Sequence, residues 1–426
     1  MAQIPRWTSL SFVLLIMIGC RFGALALDPN GASAPEMSSS TGPLQDLAMP
    51  PTTGRAAVVW NNRLEIRRPE SGLRLRLGLR FQNDWSYPVS SDKSLEESKG
   101  PFRNTVDFRR FWLEADGDLS SRTHFAAHVD LSGGRTAIRN LYAGLSDIPV
   151  LGTVRVGHQQ EPFGLDELNA NTSIVFAERA LSAFYPGYHA GIRTIRTLAG
   201  ERATLSYGIF RDTDETGRII SDDGYGLTAR ATTLLLTNVP SSGWFHIGAA
   251  VSLREPPEGV LDLRARPENR WVPPFLSATN LPADHIILVG LESAATIGSL
   301  SAQAEWVLST ASTDGDEQAH QGGYIQAAYA LTGETRPYLA RSGTVGGIQP
   351  TTTFDSGGIG AWEVAIRLSN LEFDGAPPLG GAIRNIGAAV NWYVNALVRA
   401  SINWIRARVE DLGEADLLLI RFQLAF

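Results

Sequence analysis

Residues 73–82 read Leu-Arg-Leu-Arg-Leu-Gly-Leu-Arg-Phe-Gln. Leu73, Leu75, Leu77, Leu79 and Phe81 alternate with Arg74, Arg76, Gly78, Arg80 and Gln82. A period of 2 is that of a β-strand, whose successive side chains point to opposite faces. One face is apolar and the other carries three arginines. A soluble sheet with one wet face would read the same way. What decides the fold is repetition of this pattern with no helical period between the repeats.

The alternation returns at Phe245–Leu253, Leu300–Leu308, Ala396–Trp404 and Leu418–Phe426. Strand starts fall near residues 72, 104, 122, 136, 151, 190, 202, 224, 243, 284, 299, 320, 359, 381, 397 and 415. Most segments run about 10–15 residues, enough to cross a bilayer when tilted. Connections after odd strands are long: 87–103, 159–189, 211–223 and 254–283. Those after even strands are short: 119–121, 148–150, 199–201 and 297–298. The stretch 333–358 breaks that rule. Outer-membrane barrels have this asymmetry, and a closed barrel leaves no open edge in lipid. The expectation is an all-β protein, a transmembrane antiparallel β-barrel of about 16 strands over residues 63–426. Counts of 14 and 18 fall within the boundary error.

Composition agrees with this reading. The 426 residues carry a formal charge of −7 and one Cys. Mean hydropathy is −0.06, the average of lipid-facing and water-facing positions. The only apolar run approaching the ~20 residues of a helical span is N-terminal. A lone Cys cannot form an intrachain disulfide, and the acidic balance argues against a nucleic-acid partner. Of the 37 basic residues, only Lys93 and Lys99 are not Arg.

Residues 1–26 read as a cleaved secretory signal: Arg6, an apolar stretch from Leu10 to Ile18, then Ala24-Leu25-Ala26. Ile18-Gly19-Cys20 is a poorer match to a lipoprotein box. Residues 27–62 read as a flexible periplasmic linker, rich in Pro, Ser, Gly and Thr.

Val106 to Leu113 (VDFRRFWL), Arg155 to Leu165 (RVGHQQEPFGL), Phe176 to Arg179 (FAER) and Leu331 to Tyr338 (LTGETRPY) occur in that order. Gly360 to Glu363, Asn391 to Tyr393 and Arg421 to Gln423 follow. In this order these segments resemble the phosphate-selective porin O and P family. The resemblance implies a trimeric outer-membrane channel, embedded in outer-membrane lipid and lipopolysaccharide, carrying small anionic or polar solutes. It implies that the third loop, about 159–189, folds into the lumen, as does the turn at 333–358. Arg109, Arg110 and Arg179 match arginines on the family's anion path. The constriction would involve Glu161, Pro162, Phe163, Glu167, Asn171 and Glu178. Glu167, Ala170 and Asn171 stand where phosphate-selective members carry a Lys and two Ser. Asn140 stands where the family often has an Asp.

Anion selectivity needs fixed guanidinium or ammonium groups that replace part of the ion's hydration. Lumen-side candidates are Arg74, Arg76, Arg80, Arg110, Arg155, Arg230, Arg367, Arg399 and Arg421. The competing reading is that they only pair with wall carboxylates such as Glu114, Asp116, Glu305 and Glu363. Trp85, Trp112, Trp244, Trp306, Trp362, Trp392 and Trp404 are expected in interfacial girdles or on the lipid face. Asp212 to Gly217 is expected as a solvated acidic loop rather than a calcium loop. His124 and His128, about 13 Å apart in a strand, are poor joint metal ligands. No cofactor is expected, and no nucleophile, metalloprotease, P-loop or dinucleotide motif is present. A barrel enzyme would need a nucleophile beside His158 or His189, which flank the third loop; a plugged structural barrel is the other alternative.

Overall fold

The computed structural model describes residues 56–426, apart from 240–242, 314–315 and 376–380. The expected signal peptide and most of the expected linker lie outside the described residues.

Sixteen antiparallel strands form one closed sheet. They are β1 Leu73–Ser91, β2 Thr105–Asp118, β3 Thr123–Asp130, β4 Ala137–Ile148, β5 Gly152–Gln160, β6 Tyr188–Leu198, β7 Ala203–Arg211 and β8 Tyr225–Val239. They continue as β9 Gly243–Arg254, β10 His285–Ile297, β11 Leu300–Thr313, β12 Asp316–Ala330, β13 Ala361–Phe373, β14 Gly381–Tyr393, β15 Val398–Val409 and β16 Gly413–Ala425. Each pairs with its neighbours in sequence. Pairing of β16 with β1, Gln423 against Gln82, closes the barrel.

Alternating side chains line the two faces. Val156, Ile192, Ile366 and Ile386 are each more than half exposed on the outer, lipid-facing side. Among the described residues, no helix is long and apolar enough to cross a membrane.

The chain joins the fold earlier than the sequence suggests. Ala57–Trp60, inside the expected linker, forms a hairpin with Leu64–Arg68, and Leu64 pairs with Leu77 of β1. The cause is β1 itself, which runs past the end of β16, where Ala425 meets Arg80. Its exposed edge groups need partners, and Leu64–Arg68 supplies them. Trp60 packs on Phe426, centroids 5.6 Å apart.

Three connections fold into the barrel. The third loop, 161–187, and the turn 331–360 do so as expected. The connection 255–284 does so as well, as a hairpin of Val260–Ala265 and Leu276–Pro282. Nothing in its sequence pattern had separated it from an ordinary external loop. Phe163, Leu181 and Phe184 of the third loop pack with Phe275 and with inner-face Ile286, Leu288, Val307, Leu371 and Ile405. Each large apolar side chain so buried contributes about 1.5–3 kcal/mol. Trp112 and Trp244 also depart from the girdle expectation. Both are buried, Trp112 beneath the Arg80 guanidinium and Trp244 donating to the Arg336 carbonyl at 3.0 Å. Trp85 is 45% exposed, and Trp362 stacks on Trp392.

Candidate pore and its constriction

Adjacent residues of a regular strand point to opposite faces, so Arg109 and Arg110 could not both reach a lumen. The register between β1 and β2 resolves this. Gln82 faces Arg110 and Asn83 faces Phe108, leaving Arg109 as an extra residue in a β-bulge. Both arginines therefore point inward. Arg109 clasps Glu178 of the third loop at 2.6 and 3.0 Å. Arg110 donates to neutral Gln82 at 2.7 Å and meets no carboxylate among the described residues.

Wall arginines, joined by Arg336 of the inward turn, hold the third loop by its backbone. Arg399 donates to the carbonyls of Ile174 and Val175, both at 2.7 Å. Arg336 reaches the Ser173 carbonyl and Arg367 the Glu178 carbonyl, both at 2.8 Å. Arg421 donates to the Ala177 carbonyl, to Glu178 at 2.8 Å and to Asp84 at 2.6 and 2.7 Å. Such charge-assisted bonds are the strong ones, and a loop inside a barrel must satisfy its backbone groups.

Arg179, matched by resemblance to the family's anion path, is bonded within its own loop. It donates to the carbonyls of Asp166, Glu167 and Asn169 and pairs with Glu167 at 3.2 Å, bracing the loop's own turn. Pro162 and Phe163 are also not exposed at a constriction; both are buried, Phe163 in the apolar cluster. Asn171 does meet the wall: its Oδ1 accepts from Arg80 at 2.7 Å.

The loop's acidity is largely countered. Glu161 accepts from Arg254 at 2.8 and 2.9 Å, Glu167 pairs with Arg179, and Glu178 with Arg109 and Arg421. Burial pushes the Glu178 carboxyl up, but Arg109 and Arg421 outweigh it and hold the group well below the usual carboxylate range. Asp166 is countered least. Burial dominates, raising its carboxyl; neither oxygen has a hydrogen-bond partner among the described residues, and the Arg367 guanidinium stands 3.9 Å off. Glu305, a partner in the competing reading, pairs with no arginine among the described residues. It accepts the Leu165 and Asp166 backbone N–H at 2.8 and 2.7 Å and the Tyr324 hydroxyl at 2.6 Å.

The remaining candidates divide. Arg230 is buried against Glu292, and the candidate carboxylate Glu363 is met by Arg336, which the sequence reading did not single out. Arg74 meets Glu65 at 2.8 Å, Arg76 meets Asp116, and Arg80 meets Glu114 at 2.6 Å. Arg155 lies over the Tyr142 ring. A cavity of about 260 Å³ at the short-turn end is lined by Arg63, Arg80, Glu114, Arg399 and Gln349 among others.

Several residues escaped sequence reasoning. Arg139 is the extra residue of a second bulge, in β4, and bonds Asp130 at 2.9 Å. Its only signal is its place beside Asn140, like Arg109 beside Arg110. Glu268, from the inward hairpin loop, holds Arg367 at 2.9 Å. Arg266 and Arg270 of the same loop are exposed. Asp212, expected to be solvated, is buried and accepts from Arg254. With Glu161 and His189 it makes a cluster of possible metal ligands, but Arg254 already donates to both carboxylates.

A closed 16-stranded barrel with inward loops and an arginine-lined interior defines an outer-membrane porin. Residues 73–426 match the family Phosphate-selective porin O and P, and the chain belongs to that family. It is a bacterial outer-membrane channel, not an enzyme. Porin O of Pseudomonas aeruginosa is 24% identical, covering 88% of this chain and 94% of that protein. A protein of Caulobacter vibrioides of unassigned function is 28% identical over 70% of this chain and 62% of its own length. Among solved structures, OmpF of Salmonella typhi superposes with a TM-score of 0.54 at 12% identity, over 85% of this chain and all of that one. The anion-selective porin from Comamonas acidovorans gives 0.51 at 12% identity, over 83% and 99%. At these identities the structural likeness speaks to fold alone.

Proposed function

We propose that this porin passes small hydrophilic solutes by passive diffusion and favours anions, phosphate among them. One observation carries the reading: the inner arginines outnumber what the wall carboxylates engage. Asp84, Glu114, Asp116, Glu292 and Glu363 each meet an arginine. Arg110, Arg155 and Arg193 meet no carboxylate among the described residues, and exposed Arg270 has no hydrogen bond or ion pair there. Fixed positive charge over low-dielectric walls draws anions in. Pairing of Glu161, Glu167 and Glu178 with arginine lessens the repulsion that the loop's sequence suggests. The mature chain is exported by a cleaved signal and assembles as a homotrimer in lipid and lipopolysaccharide, as family membership suggests.

The test is the reversal potential of the purified channel in a KCl gradient, followed by addition of phosphate. The expected result is anion selectivity with a chloride current reduced by phosphate, and weaker selectivity in Arg110→Gln. A cation-selective pore indifferent to phosphate overturns the proposal.

A further inference from the structure

We propose that the short-turn end of the pore holds a binding site for an uncharged, polyhydroxylated solute of monosaccharide size. The site is the cavity of about 260 Å³ bounded by the tip of the N-terminal hairpin, the third loop, the inward turn and the wall. It goes beyond the anion reading and rests only on the passive-channel part of the proposed function.

The hairpin tip is fixed in place beside this cavity. Trp60 pairs with Leu64, so Asn61, Asn62 and Arg63 make the turn, and Asn62 takes a left-handed backbone with φ 51°. Arg63 reaches across β1 to β2, donating to Asp116 at 2.9 Å and to Glu114 at 3.3 Å. Gly78 of β1 stands opposite Glu114 and puts no side chain in that path. These tip residues precede residue 73, where the family match begins.

The charged groups of the lining are engaged with the protein. Arg80 holds Glu114 at 2.6 Å and donates to Asn171 at 2.7 Å. Arg399 donates to the Ile174 and Val175 carbonyls and to Asn391, all at 2.7 Å. What remains open is uncharged. The side chains of Asn61, Asn62, Thr172, Ser173 and Gln349 line the cavity from three segments distant in sequence, and they make no hydrogen bond among the described residues. Amides and hydroxyls both donate and accept. Chloride can use only the donors and is repelled by the acceptor oxygens, whereas a hydroxyl uses both. The opposite side of the cavity is apolar, with Leu79, Leu397, Val398 and Phe426, the last packed on Trp60. A sugar ring has the same two sides, a C–H face and a rim of hydroxyls. An apolar wall with a few placed polar groups is what a small-molecule site needs.

The experiment is the effect of D-glucose on the chloride current through the full-length mature channel in planar bilayers, corrected for the fall in bulk conductivity. Wild type is compared with a triple variant, Asn61→Ala, Asn62→Gly and Gln349→Ala, and separately with Thr172→Val. Gly at 62 keeps the left-handed backbone without strain. Heat-stable mobility of the folded barrel is the control for structure, and block is expressed relative to each variant's own conductance. The expected result is block of wild type beyond the bulk correction. The half-blocking concentration should rise about tenfold in the triple variant and about threefold in Thr172→Val, as hydrogen-bond partners are lost. No block of a conducting wild type beyond the bulk correction, or equal block in wild type and both variants, overturns the site and leaves the channel reading standing. A folded wild type that does not conduct overturns both. Should the triple variant lose the folded barrel, Thr172→Val decides: weakened block supports the site and unchanged block overturns it.

Discussion

On β10–β16 the inner face toward the long-loop end is apolar: Ile286, Leu288, Val307, Leu371, Ile383, Ile405 and Leu417. On β1–β6 the inner face carries Arg76, Arg80, Arg110, Arg139, Arg155 and Arg193. The first region is covered by the third loop and the inward hairpin, whose Phe163, Leu181, Phe184 and Phe275 fill it. The second meets the third loop through polar bonds instead, Arg80 to Asn171 and Arg109 to Glu178, and keeps its charges. A barrel's inside is therefore not polar by rule. Where a loop seats on apolar side chains, the inner face becomes a core and follows core chemistry; where polar groups meet it, the arginines stay, even buried as Arg110 and Arg193 are.

The comparison breaks most readily at Arg421, which joins the charged wall to the seated loop. Arg421→Ala strands buried Asp84 and leaves Glu178 with one arginine, at an expected cost of about 3–5 kcal/mol. Denaturant unfolding in detergent should show the loss, and single-channel recording a larger or noisier conductance as the loop loosens. An unchanged channel would mean that the apolar seat alone holds the loop. Leu181→Ala tests that seat from the other side. It should cost about 2–5 kcal/mol and raise conductance while leaving ion selectivity close to wild type. A change of selectivity without a change of stability would show that the two regions are not separate.

Acid sharpens the comparison with a smaller effect. Glu178 is held below the ordinary carboxylate range by Arg109 and Arg421, against the opposing pull of burial. A depressed group contributes stability that is fully present above its unfolded value, about 4.3, and that is lost as pH falls through the lower folded value. Conductance should therefore hold steady from neutral pH to about that value and change only in stronger acid. A transition near neutrality would place the controlling group elsewhere. The smallest effect is expected at Arg74→Gln. This half-exposed partner of Glu65 should contribute about 1 kcal/mol or less, with unfolding midpoints nearly superimposed.

Much of the strand architecture was legible. All sixteen strands begin within a few residues of the positions expected from alternation, because lipid outside and a filled or wet interior force a period of 2. The site was legible in part. Arg109 and Arg110 were found through their resemblance to a family motif, while alternation alone would have sent one of them into lipid. The bulge that turns both inward depends on register with β1. Arg139 was missed for the same reason. Arg179, placed on the anion path by resemblance, is bonded to three carbonyls of its own loop, since backbone groups folded inside a barrel must find partners there.

The sequence by itself determined the barrel, a strand number near sixteen, the alternation of long and short connections and the abundance of inward arginine, all local properties of period and composition. Only the tertiary structure decided which arginines brace loops and which remain without a carboxylate, and that 255–284 joins 161–187 inside. Leu417, Leu418, Leu419 and Ile420 make the same point in four consecutive residues. All are apolar, and two of them, Leu417 and Leu419, lie on the fully buried inner face. Whether an apolar side chain meets lipid or a seated loop depends on what arrives from a distant part of the chain, and no local period records that.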